Sequence, residues 1–151
     1  MNNDNHTGVI NNIIDGIARK LYQTFGDGYT IYNEKIPQGF QEPCFAILHL
    51  LSNSEAKVPD RYLRRNAFDI HFFPTPGQDE KKEMYRVGEC LLLALEYINC
   101  LDNLIRGTKM RYEIVDDVLH FFISYDLFVK PIRDEDGVYM DELNSNHTVE
   151  G

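Results

Sequence analysis

The stretch that decides the fold is Val118 to Phe128, VLHFFISYDLF. It alternates. Leu119, Phe121, Ile123, Tyr125 and Leu127 fall on one side of an extended chain, and His120, Phe122, Ser124, Asp126 and Phe128 on the other. A period of two in a segment rich in aromatic and β-branched residues marks a strand with one face in a core. Just upstream, Met110 to Val115 (MRYEIV) has the same character. Asp116-Asp117 joins the two runs as a tight hairpin, although Asp-Gly or Asn-Gly is the stronger turn signal.

Working outward, Thr75-Pro76-Gly77-Gln78 reads as a helix start, with a capping Thr, Pro at the first helical position and Gln at the third. Val87, Leu91, Leu92, Leu95, Ile98 and Leu101 extend that helix to about Leu104, and Gly107 stops it. Arg64 to Phe73 is a strand in which Phe68, Ile70 and Phe72 oppose Asp69 and His71. Pro43 to Leu51 is an apolar strand, and the polar Ser52 to Asp60, with Pro59, is expected to be a loop. Tyr29 to Glu34 is a short first strand, broken by Ile36-Pro37-Gln38-Gly39. Val9, Ile10, Ile13, Ile14, Ile17, Leu21 and Phe25 recur at helical spacing, so Gly8 to Phe25 is an amphipathic helix capped by Thr7 and ended by Gly26. Met1 to His6 is expected to fray.

The order is α-β-β-β-α-β-β. The predicted class is α+β: a mainly antiparallel sheet of about five strands with two helices on one face. Residues 1–132 form the single predicted domain, and residues 133–151 an acidic, mobile tail in which Val138, Tyr139, Met140 and Leu143 could dock.

Composition narrows the function. The chain has 151 residues, is 43% hydrophobic and 12% aromatic, and carries a formal charge of −9, with no long basic run. Specific nucleic-acid binding needs a basic face to meet phosphates, and anionic membranes need the same, so neither is expected. No secretory h-region is visible, and no apolar run approaches the ~20 residues that span a bilayer. Cys44, Cys90 and Cys100 lack metal-type spacing and read as reduced, mostly buried thiols. Asn146-His147-Thr148 matches a glycosylation sequon by chance.

Chemistry is sparse. If the strand of Asp69 and His71 lies beside the last strand, those residues join His120, Ser124 and Asp126 on one face. These are the residue types of a nucleophilic triad, but Ser124 is mid-strand without the strained turn that exposes a hydrolase serine. Asp69, His71 and His120 could ligate a metal only if the strand register cooperates. The plainer reading is a half-polar sheet face, solvated or buried against another subunit, so no catalytic, cofactor or metal residue is assigned. No phosphate-loop glycine pattern is present. Phe73, Phe122 and Phe128 make that face sticky for a monomer, so either another subunit or the helices would cover it. Arg61, Arg64 and Arg65 cluster at the head of a strand, where they form a solvated hairpin end or, in the functional reading, meet an acidic neighbour. The expected contact residues are therefore Arg61, Arg64, Arg65, His71, Phe73, His120 and Phe122.

Three runs carry a family resemblance: EKIPQGFQEPCFAI at Glu34 to Ile47, FDIHFFP at Phe68 to Pro74, and MRYEIVDDVLHFFISYDLFV at Met110 to Val129. Together they resemble the phage tail terminator family of tailed phages, prophages and phage-tail-like bacteriocins, from the first helix to about Leu143. Asp117 departs from the Gly expected in the hairpin, which leaves the turn type open. The resemblance implies a non-enzymatic α+β subunit of a hexameric ring. Such a ring caps the tail tube, stops its polymerisation and offers a surface to the neck, or to the sheath of a contractile tail. It implies self-association, tube and neck or sheath partners, no cofactor, assembly in the host cytoplasm and residence in the virion tail. DNA would pass through the ring, and an acidic lumen, to which Asp134, Glu135 and Asp136 could contribute, would keep it from sticking. A head-completion or neck connector, a small hydrolase or metal enzyme on Asp69, His71, His120 and Ser124, and a monomeric binding module are the alternatives.

Overall fold

A computed structural model describes residues 8–134 and 137–144. Helix α1 is Val9–Phe25. Its buried stripe of Val9, Ile13, Ile14, Ile17 and Leu21 follows the helical spacing of its apolar residues. Gly26, at a positive φ of 83°, ends it by donating its N–H to the Tyr22 carbonyl at 2.9 Å. Gly8 sits at the N-terminal cap, and Thr7, expected there, lies outside the described residues.

Strands β1 (Thr30–Asn33), β2 (Cys44–Val58) and β3 (Arg61–Phe73) follow. The expected loop at Ser52 to Asp60 is strand almost to its end: β2 pairs with β3 through Val58↔Arg61, leaving Pro59 and Asp60 to turn, with Asp60 at φ 65°. Side chains beyond Leu50 on β2 are exposed, so hydrophobic alternation disappears while the backbone ladder continues. Only the burial signal is lost there, and that signal is what a sequence displays.

Helix α2 is Glu80–Ala94. Gly77, at φ 77°, prevents the helix from starting at Pro76. Thr75 still ties to it: its N–H and Oγ1 donate to the Glu83 carboxylate at 2.8 and 3.1 Å. The helix also stops earlier than the predicted Leu104. Tyr97–Cys100 is strand β4, a hairpin follows with Leu101 and Asp102 both at positive φ, and β5 runs Asn103–Val115. Leu91, Leu95 and Ile98 mimic helical spacing, but in the fold Ile98 and Cys100 are buried while Tyr97 and Asn99 are exposed, which is a period of two.

Strand β6 is Val118–Asp134 and β7 is Gly137–Asn144. Asp116 and Asp117 both take positive φ, 53° and 63°, so the tight hairpin forms without glycine. The boundary expected at residue 132 falls inside β6, and the backbone of 137–144 pairs with β6 from Asp134↔Gly137 to Phe128↔Asn144. Residues 145–151, with the sequon and the end of the expected tail, lie outside the described residues, as do Met1 to His6.

The sheet order is β1-β2-β3-β6-β5-β4, with β7 also on β6. All pairs are antiparallel except β1 with β2, which are parallel because a loop crossing carries the chain back between them. The fold is thus α+β, with a mixed sheet larger than the antiparallel five expected. Both helices pack on one face, over Phe45, Phe68, Ile70, Phe72, Phe121 and Tyr125, all fully buried. Gly16 lets α1 close on β4, since a Cβ there would collide with the Asn99 carbonyl oxygen. The other sheet face carries no helix. Among the described residues, no helix is long and apolar enough to cross a membrane.

Candidate functional site

The helix-free face is built by the register of β3 against β6. His71 stands opposite His120, Asp69 opposite Phe122, Ala67 opposite Ser124 and Arg65 opposite Asp126. Because alternate residues share a face, one pairing assembles all of them on one surface. The β5–β6 hairpin adds Glu113 opposite His120 and Arg111 opposite Phe122.

At the centre, His71 Nε2 lies 3.0 Å and His120 Nδ1 3.1 Å from the same oxygen, Asp69 Oδ2. Each imidazole with its proton on that nitrogen donates to it. The ring centroids are 4.2 Å apart, edge to face. All three side chains are largely buried, with relative exposures of 10% for Asp69, 19% for His71 and 21% for His120. Burial pushes the Asp69 carboxyl up, the hydrogen bonds and positive potential of the two histidines pull it down, and the net position lies below the ordinary carboxylate range. Asp69 Oδ1 is buried without a hydrogen-bond partner. Ser124 Oγ donates to Asp126 Oδ1 at 2.7 Å. The hydroxyl is thus engaged with a carboxylate, and both imidazoles with Asp69, so no serine–histidine pair forms.

Aromatic rings flank the cluster. Phe122 lies nearly parallel to the His120 ring at 6.3 Å, and Phe73 lies edge-on to His71 at the same separation. The Arg111 guanidinium covers Phe122 at 4.1 Å, and Arg61 covers Phe128 at 5.7 Å, which screens these rings while leaving charged groups outermost. Phe40, from the Pro/Gly loop before β2, packs on Phe73 at 4.9 Å.

Of the expected contact residues, His71, Phe73, His120 and Phe122 are neighbours, and Arg61 and Arg65 share their face. Arg64 does not: the pleat turns it to the side of Asn66 and Phe68. Three consecutive-looking arginines are therefore two groups. Arg65 is engaged within the chain, donating to Glu55 at 2.9 Å. Sequence reasoning missed Arg111 and Phe40. Arg111 was legible, because a two-residue turn at Asp116-Asp117 fixes Arg111 opposite Phe122 by counting. Phe40 had no signal, since its loop is irregular.

A family model described as phage tail terminator protein matches residues 12–137. The chain belongs to the phage tail terminator family. The match runs from within α1 to the first residue of β7, so it takes in nearly all of both helices, strands β1 to β6 and the open face. It agrees with the resemblance carried by the three quoted runs, and it makes the protein a structural component of phage tails in general terms. Comparison with curated proteins gave no match.

Proposed function

We propose that this tail terminator closes into a ring of six copies on the last ring of a tail tube, stops tube polymerisation and offers its far surface to the neck or sheath. The observation that carries this reading is the family match over a chain whose sheet is covered by helices on one side only. On that face Phe73, Phe122, His71 and His120 are only partly buried, and a second copy is the natural cover for what they leave open. In a closed ring each subunit meets its neighbour through two different patches. The open face is one. The β2–β3 hairpin is the other: it presents Leu50, Leu51 and Val58 as exposed apolar residues with Arg61 at its turn. The −9 charge suits a channel that DNA crosses without adhering. Host-cytoplasmic assembly and a non-catalytic role belong to the same reading.

Electron microscopy of tubes polymerised with and without the protein tests it. Tubes of uniform length with a ring at one end are expected when it is present, and unrestricted lengths when it is omitted. Unchanged length distributions, together with pull-down by a portal-side connector instead of tube protein, would move the assignment to a neck component.

A further inference from the structure

Asp69, His71 and His120 each present one ligand atom, and these atoms all lie within 4.8 Å of one another. We propose that they form a binding site for a late first-row divalent cation, zinc foremost. The proposal is independent of ring formation and of tube capping.

Four observations lead to it. The donor set is two imidazole nitrogens and a carboxylate oxygen, the borderline ligands that zinc takes. The two histidines sit at directly opposed positions of adjacent central strands, so the ladder fixes their spacing, and Asp69 is two residues from His71 on the same face. Strand positions hold ligands more rigidly than loop positions do. The distances are also close to those required. The nitrogens stand 3.0 and 3.1 Å from Asp69 Oδ2, whereas ligands bound at about 2.0–2.1 Å around a tetrahedral zinc are about 3.3 Å apart. Small rotations of the two rings would open the space. Last, Asp69 Oδ1 is buried without a partner on a residue only 7% exposed. Buried carboxylate oxygens normally have a partner, and a cation held between the three side chains would use the carboxylate's remaining capacity.

Charge points the same way. With both rings neutral, the cluster carries the single negative charge of Asp69. Glu113 on β5, opposite His120, adds a carboxylate at the rim, where it pairs with Arg111 at 3.6 Å. Three protein ligands leave a fourth tetrahedral position for water or for a group from a neighbouring copy.

The test uses the full chain, stripped with EDTA and titrated with zinc by calorimetry and with cobalt by visible absorption. Saturation at one ion per chain is expected, with the d–d bands of a four-coordinate cobalt site. Nitrogen-15 imidazole spectra of the unaltered chain should shift at His71 Nε2 and His120 Nδ1, and not at His6, His49 or His147. His120→Gln should weaken zinc at least tenfold while His49→Gln leaves it unchanged. Circular dichroism reports whether His120→Gln folds; if it does not, the imidazole spectra decide. No saturable binding below about millimolar zinc, shifts confined to other histidines, or undiminished affinity in folded His120→Gln would overturn the site and leave Asp69 as an acceptor for two imidazoles.

Discussion

At the scale of single residues, polar groups inside the core are the most constrained. Tyr125 is fully buried and its hydroxyl donates to the Leu95 carbonyl at 2.6 Å, fastening the end of α2 to β6. Burial pushes its phenol far above the usual range, so it stays a neutral donor. Tyr125→Phe is expected to cost about 1–3 kcal/mol in urea unfolding, because the carbonyl loses its partner away from water. Burial likewise raises the Cys44 and Cys100 thiols to about 11, with Glu42 adding to the effect at Cys44. Native protein at neutral pH should therefore give one fast equivalent with a thiol reagent, from half-buried Cys90, and two more only on unfolding. Asp69 sets an acid limb. Its carboxyl lies lower folded than unfolded, so its charge favours the fold above the unfolded value near about 4, and that contribution is lost as pH falls through and below it. In EDTA, Asp69→Asn should be less stable than the parent at pH 7, with the gap narrowing below about pH 4 in chemical denaturation.

At the scale of elements, close approach matters more than propensity. Gly16→Ala gains up to about 1 kcal/mol in helix propensity but sets a methyl against the Asn99 carbonyl, part of the backbone of β4. Overpacking against backbone costs about 1–3 kcal/mol, so a net loss is expected. Gly88→Ala meets the Tyr112 ring at 2.8 Å instead, on a half-buried side chain that can swing aside. Its thermal midpoint should fall less than that of Gly16→Ala, and equal losses would refute the argument. The sequence resolved α1, and β6 as far as Phe128, because each has one buried face over those residues; it did not carry β6 on to Asp134. It misread 96–104 as helix because Ile98 continues the helical spacing of Leu91 and Leu95 and also alternates with Cys100, and only the pairing of β4 with β5 separates the two readings.

At the scale of the whole molecule, the uncovered sheet face is where assembly should be sensitive. Phe122→Asp places a carboxylate beside Asp69 and under Arg111, on a position outside the helix-packed core. It should leave a folded subunit by circular dichroism while abolishing ring formation in light scattering and length control in tube assembly. Rings of unchanged stability would remove this face from the contact. Arg64→Glu, on the opposite side of the sheet, should disturb assembly less than Arg61→Glu, although the two residues are three apart in sequence.

The sequence by itself determined the α+β class, the two amphipathic helices, the inward set of β6 and the composition of its outward set. These follow from local periodicity, and local periodicity is written residue by residue. It also determined the β5–β6 register from the turn back to Arg111, because a two-residue turn leaves no freedom there, whereas the register shift between Thr108 and Arg111 left no mark in the sequence. Tertiary structure alone decided that β3 lies against β6 with His71 facing His120, since α2, β4 and β5 intervene and no turn links the two strands. A shift of one residue would have moved Asp69 and His71 to the core side of the sheet. The packing of Phe68, Ile70 and Phe72 against the helices forbids that shift, and the same packing brings the carboxylate and the two imidazoles together.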